Sequence, residues 1–243
     1  MPRDFMTHAE VHQRLADASG QVRLPIGCFV IPGDEPMLID AGIGPDLKIE
    51  FLPGGRLLEQ LAAAGYEPEA IRHVALSHLH PDHFGWVATK HAGVTFPNAQ
   101  LYVGAADWAH FLVDQMGPKL PGWTSGPMLE LMVAGRVTLL DDETEVLPGV
   151  IAIAAPGHTP GHTVFAISSG GERALILGDS IYCPQQFTEL DWAAAGDVDP
   201  LVARRTRERL TRELDGDHTV GVGPHFPGLQ AGRILSSKWM PTS

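Results

Sequence analysis

An α/β fold whose strands deliver metal-binding side chains at their ends is the class this sequence predicts, and three observations carry the prediction. Apolar segments of strand length recur along the chain, separated by stretches with helical signals. Three imidazoles and a carboxylate crowd into six residues, His78-Leu79-His80-Pro81-Asp82-His83, directly after one such segment. The length of 243 residues and a hydrophobic content of 44% suit one large α/β domain or two small ones, and a single domain over 1–243 is expected.

From the N-terminus, residues 1–20 are expected to form a polar helix. His8-Ala9-Glu10-Val11-His12 there lacks the Glu directly after the first His that the zinc-protease helix motif needs, so its histidines are solvated. Residues 22–31 and 36–40 form two strands joined by the turn Pro32-Gly33-Asp34-Glu35. Asp40 ends the second strand, either as a turn-former before Gly42 or as a group that orients a ligand histidine. Residues 57–64 make an amphipathic helix that stops at Gly65.

The segment 71–77 is a buried strand, and Pro81 and Gly85 break regular structure before any long helix can follow it, so the histidine cluster sits on a strand-end loop. His78 and His80, two apart in extended chain, point to one side, and the turn at Pro81 brings Asp82 and His83 round to a neighbouring position. Neutral imidazole suits zinc and other first-row metals, and a carboxylate beside it binds metal or takes a proton. The spacing is compatible with one metal site or two adjacent ones.

A short strand follows at 101–103. The segment 107–135 then gathers Trp108, Phe111, Leu112, Met116, Leu120, Trp123, Met128, Leu129, Leu131 and Met132, broken by Gly117-Pro118, Pro121-Gly122 and Gly126-Pro127. Any one of these residues is expected in ordinary core packing or an oligomer contact, while the segment as a whole is expected to serve as a lid over a substrate pocket or as a homodimer contact. Strands continue at 137–140, 150–155, 162–168 and 174–177, with the last at 219–222, a plan that repeats the first half like a distant internal duplication. Asp199-Pro200 supplies an N-cap and first helical residue for a helix to about Leu214, whose Arg204, Arg205, Arg207, Arg209 and Arg212 are read as a solvated, salt-bridged face.

Composition narrows the partners. A formal charge of −12 without a basic, aromatic-interleaved stripe argues against nucleic acid. No run of about 18 apolar residues is present to span a membrane, and the acids and histidines of residues 1–20 do not resemble a secretory signal, so a cytoplasmic location is expected. Cys28 and Cys183 fit neither a disulfide framework nor a thiolate zinc site and are read as small buried hydrophobes. Gly42-Ile43-Gly44 lacks the third glycine and the helix of a dinucleotide loop.

His-x-His-x-Asp-His at the end of an apolar strand resembles the signature of the metallo-β-lactamase superfamily, and the resemblance extends over nearly the whole chain. Pro156-Gly157-His158, Gly178-Asp179 and Gly223-Pro224-His225 each follow an apolar run, in the order in which that family places its later ligands. The resemblance implies an αββα sandwich, two mixed sheets flanked by helices. It also implies two zinc ions, with iron or manganese as alternatives: His78, His80 and His158 on one, Asp82, His83 and His225 on the other, and Asp179 bridging. The implied enzyme is a hydrolase that uses a metal-bridging hydroxide to open a lactone or cleave a carboxylic or phosphate ester, with Asp82 orienting the nucleophile or carrying a proton.

Departures direct the resemblance to one branch. The best-known β-lactamases have Cys in place of Asp179 and no ligand at His83; flavodiiron proteins have Glu in place of His80; glyoxalase II carries a helical domain beyond the final histidine; the RNA-processing branch has a basic arm. Tyr182, three residues after Asp179, matches the N-acyl homoserine lactonases and related organophosphate hydrolases, where such a phenol donates to the substrate carbonyl. That branch implies a small apolar ester or lactone substrate. Packing is the other reading of Tyr182, and His162 is either a group that orients the site or a plain strand-start residue. The alternative functions are a mononuclear iron persulfide dioxygenase and a catalytically silent ligand-binding member.

Overall fold

A computed structural model describes residues 3–4, 25–47, 55–114, 119–194, 196–216, 218–236 and 238–242. The chain divides into two compact units, one of Ile26–Asp141 and one of Met1–Pro25 with Asp142–Ser243. The readings for residues 1–20 lie outside the described residues, apart from Arg3–Asp4, which pairs in parallel with Trp192–Ala193.

The first unit is a five-stranded mixed sheet in chain order: β1 Phe29–Ile31, β2 Met37–Ile39, β3 His73–Ala75, β4 Gln100–Gly104 and β5 Val137–Leu140. Only β1 and β2 run antiparallel; the three other pairings are parallel. Parallel neighbours need crossovers, and the crossovers here bring helices. Helix α1, Leu57–Ala63, lies between β2 and β3, and α2, Gly122–Val133, lies between β4 and β5. Leu57 and Leu61 of α1 and Met128 and Leu131 of α2 are buried in one cluster with Leu38, Val74, Leu101 and Val103 of the sheet. Gly65, at φ 86°, terminates α1 in the left-handed conformation that glycine adopts without a side-chain clash.

The second unit holds a seven-stranded mixed sheet of β6 Thr144–Leu147, β7 Val150–Ala154, β8 Thr163–Ser169, β9 Glu172–Ile176, β10 Thr219–Val222, β11 Gly232–Leu235 and β12 Lys238–Pro241. Its order is the chain order, and β9–β10 is the one parallel pair, bridged by α3, Pro200–Glu213. Asp199 caps α3, its carboxylate accepting from the Leu201 and Val202 amides. Leu210 and Leu214 pack on Val164, Leu175, Leu177 and Phe226 as this unit's core.

Three readings change. Gly126-Pro127 lies inside α2 and does not end it, because the helix buries Thr124, Ser125, Met128 and Leu131, and tertiary burial outweighs one missing amide donor. Arg207 is not on a solvated face. It is 1% exposed and faces Asp197 at 3.3 Å. Residues 25–28 are not strand, so β1 begins at Phe29, and Cys28 is half-buried against the core of this unit. The strands β6, β11 and β12 had no strong apolar signal and were not expected.

The loop after β2 and the loop after β3 are joined backbone to backbone. Ala41 N–H donates to His83 O at 2.6 Å, Gly85 N–H to Gly42 O at 2.7 Å and Trp86 N–H to Ala41 O at 3.1 Å. This approach leaves no room for side chains: a Cβ on Gly85 would lie 2.1 Å from Gly44 N, and one on Gly44 would lie 1.9 Å from Gly85 O. Gly85→Ala is therefore expected to force the two loops apart and lower stability by about 3 kcal/mol or more, seen as a depressed Tm in thermal unfolding of metal-free protein. An unchanged Tm would show that these loops are not rigidly joined.

Candidate metal centre

In the first unit the donors follow β3. Pro81 takes the first position of a one-turn helix, Pro81–Phe84, with His80 before it in extended conformation. That switch turns Asp82 and His83 away from the line of His78 and His80. His78 Nε2 lies 2.9 Å from His80 Nδ1, and His83 Nε2 lies 3.7 Å from Asp82 Oδ2. His78 and His83 are buried, while His80 and Asp82 are half-buried.

A buried carboxylate organises this loop. Asp40, fully buried at φ 60°, accepts from the Ser77 amide at 2.7 Å and the Ser77 hydroxyl at 2.8 Å, and faces His83 Nδ1 at 2.9 Å. A carboxylate only accepts, so His83 carries its proton on Nδ1 and presents the Nε2 lone pair. Ser77 Oγ, its own proton given to Asp40, is the acceptor for His78 Nδ1 at 3.1 Å, which sets His78 in the same tautomer. Asp40 thus ends β2 in a left-handed conformation, and of its two readings the one that orients a histidine fits. Asp107, also fully buried, fixes the loop from another side by accepting from the Leu79 amide at 3.1 Å.

In the second unit Asp179, 2% exposed, stands between two histidines. Its Oδ2 is 3.5 Å from His158 Nε2, and its Oδ1 is 3.2 Å from His225 Nε2. Both rings have the other nitrogen held: His158 Nδ1 by Asp197 Oδ1 at 3.0 Å, His225 Nδ1 by the Pro25 carbonyl at 2.7 Å. His162 Nε2 accepts from the Asp179 amide at 3.0 Å, so of its two readings the orienting one fits. Tyr182 stacks on His225 with ring centres 5.1 Å apart and meets His158 edge-on at 5.5 Å, and its amide donates to Gln186 Oε1.

This donor set fits divalent metal. Four histidines have Nδ1 engaged and Nε2 turned toward another donor, and two ring nitrogens 2.9 Å apart need a proton or a cation between them. The donors are nitrogen and oxygen, as zinc, manganese and iron accept. Cysteine adds nothing: burial pushes the Cys183 thiol up to about 11, and burial first and the Asp40 charge second push Cys28 higher still.

The 107–135 segment mostly builds the first unit. Trp108, Leu112, Leu120, Met128 and Leu131 are in its core, and Trp123 has the Lys90 ammonium 4.1 Å from its ring centre. Phe111 lies edge-on to His80, with ring centres 5.9 Å apart. Ser77, Asp107, Asp197 and Arg207 are supporting residues that the sequence did not single out. Asp107 and Arg207 were each seen only within a larger pattern, and nothing local marks Asp197.

The family model for the metallo-beta-lactamase superfamily matches residues 23–225. The chain belongs to the metallo-beta-lactamase superfamily. Among relatives in that superfamily, N-acyl homoserine lactonase AiiA of Bacillus thuringiensis subsp. kurstaki is 24% identical over 226 residues, covering 86% of this chain and 83% of its own. Two solved structures share the superfamily fold. AidC, a dizinc quorum-quenching lactonase in complex with a product, has a TM-score of 0.77 at 25% identity, covering 90% of this chain and 80% of its own. The hydrolase AbOPH has a TM-score of 0.80 at 27% identity, with 96% and 86% covered. The expected metallo-β-lactamase fold is borne out, and the chain is a metal-dependent hydrolase of that superfamily. No helix among the described residues is long and apolar enough to cross a membrane.

Asp40→Ala is expected to leave the Ser77 amide and the His83 ring without their acceptor, at a cost of about 3 kcal/mol to the metal-free protein. Denaturant unfolding of the two proteins checks this, and equal midpoints and slopes would reduce Asp40 to a turn residue.

Proposed function

We propose that the chain is a dinuclear zinc hydrolase that opens a lactone or cleaves a carboxylic or phosphate ester of a small apolar substrate. The observation that carries this reading is Asp179, whose two oxygens address two different histidines, His158 and His225, from one buried position. A carboxylate in that arrangement suits a bridge between two cations. Following the superfamily pattern, His78, His80 and His158 would hold one ion and Asp82, His83 and His225 the other. Two divalent ions, when bound, supply an activated water at neutral pH and a Lewis acid for the substrate oxygen.

The side chains have distinct tasks in that reaction. Asp82, half-buried at the edge of the first unit's cluster, orients the attacking water and accepts its proton. Tyr182, with its ring flush against His225, is proposed to donate its phenolic proton in a hydrogen bond to the oxygen on which charge develops. Phe111 beside His80 provides an apolar wall for an acyl or ring group. The N-acyl homoserine lactonases among the relatives support a lactone as the first substrate to try.

Elemental analysis of protein purified without added metal is expected to return two zinc ions per chain. Asp179→Ala should lose both together, whereas His225→Ala should weaken mainly one. A single iron per chain would point to persulfide oxidation instead, and equal loss of both ions in every ligand variant would remove the site-by-site assignment.

Tyr182→Phe keeps the ring against His225 and removes only the donor. Metal content and Tm should therefore persist while kcat on a lactone or ester falls about 10-fold or more, less than a full oxyanion-hole loss because the metals share the charge. Unchanged kcat and kcat/KM would leave Tyr182 as packing alone.

A further inference from the structure

Helix α3 and the His158 loop are held together at four levels. Gly157, at φ 128°, packs so closely on α3 that a Cβ would lie 2.1 Å from Ala203 N. Thr206 Oγ1 donates to the Pro156 carbonyl, and the amides of Val198 and Asp199 donate to the carbonyls of His158 and Gly157 at 3.0 and 2.9 Å. The fourth level is ionic and buried. Arg207 Nη1 lies 3.3 Å from Asp197 Oδ2, and Asp197 Oδ1 lies 3.0 Å from His158 Nδ1, with side-chain exposures of 1% for Arg207, 0% for Asp197 and 1% for His158.

We propose that Asp197 and Arg207 are positioning residues: a buried carboxylate and guanidinium that fix the tautomer and ring direction of His158 from helix α3. The inference rests on His158 being a metal ligand as proposed above. Each contact has one chemically consistent role. Asp197 Oδ1 accepts the Nδ1 proton and so reserves His158 Nε2 for the Asp179 side, while Oδ2 is occupied by Arg207 and by the Ala194 amide at 3.1 Å. Arg207 Nε meets the Leu190 carbonyl at 3.4 Å, so the guanidinium is itself held. An acidic group with both oxygens committed cannot swing, and the imidazole it holds cannot flip. Arg204, on the same helix, pairs instead with Glu208 at the surface.

The test compares Asp197→Asn, Arg207→Lys and the surface control Arg204→Ala with the parent chain. Asparagine keeps an oxygen for His158 but sets an amide against Arg207 or loses the oxygen to it. Lysine keeps the charge without the planar fork. Chelator competition is expected to show one of the two zinc ions bound about 10- to 100-fold more weakly in Asp197→Asn and to a smaller degree in Arg207→Lys, with the other ion and the Arg204→Ala protein unchanged. Correlation spectra of isotope-labelled histidine in the metal-free proteins are expected to show His158 protonated at Nδ1 in the parent and as a tautomer mixture in Asp197→Asn.

Folded Asp197→Asn with parental zinc affinity or the parental His158 tautomer would overturn the proposal. Should both buried variants fail to fold, the parent spectrum decides, since a proton on Nε2 would exclude the role. A parent chain that takes up no zinc would sink the metal reading while leaving the tautomer measurement to judge the Asp197 contact.

Discussion

A histidine has two ring nitrogens, and it can serve as an ordered donor only if the nitrogen it does not use is held. Much of this protein's site region is an answer to that constraint. His83 is held by Asp40, His158 by Asp197, His225 by the Pro25 carbonyl and His78 by the Ser77 hydroxyl. The two carboxylate side chains among these holders are fully buried, and both make further bonds that stop them from following the ring. Holding the ring also raises its basicity as a donor, so one set of contacts does geometric and electronic work together.

The constraint reaches down to the backbone. Asp40 can meet His83 only if the loop after β2 lies directly on the loop after β3, and Gly44 and Gly85 make that approach sterically feasible. In the second unit Gly157 lets the His158 loop lie on α3 in the same manner. Parallel pairing of β2 with β3 and of β9 with β10 sends the loops that carry Asp40, the His78–His83 cluster, Asp179 and His225 off the carboxyl ends of neighbouring strands. Sheet topology, glycine placement and imidazole tautomer are therefore successive consequences of one requirement.

This hierarchy explains what could be read from sequence. The His78–His83 cluster was legible because it is a short, dense motif at the end of an apolar run, whereas His158, Asp179 and His225 were reached through the family resemblance, and the strands before them were legible as apolar runs. Helix α3 announced itself through Asp199-Pro200 and α1 through Gly65. The holders were harder to read, because Asp197 meets His158 across 39 residues and Asp40 meets His83 across 43, and no local pattern encodes such a pairing. Arg207 was misplaced because its neighbours Arg204 and Arg205 do face solvent, and helical spacing alone does not mark which arginine turns inward. The edge strand β12 was missed because its packing comes from Trp239 stacking on Phe187 and meeting Phe226, a tertiary contact and not an alternating pattern.

The buried Arg207–Asp197 pair also bears on what kind of stability the protein retains. Taking both charges out of water costs several kcal/mol per ion, and burial accordingly pulls the Arg207 pKa downward despite the adjacent Asp197. An apolar pair of similar volume would hold α3 to the sheet at least as firmly, as Leu210 and Leu214 already do. An apolar pair offers no acceptor for an imidazole proton. The charged pair therefore contributes direction more than adhesion: it makes one orientation of His158 far lower in energy than its alternatives, and a donor held in one orientation has already met the ordering cost that a metal would otherwise have to offset.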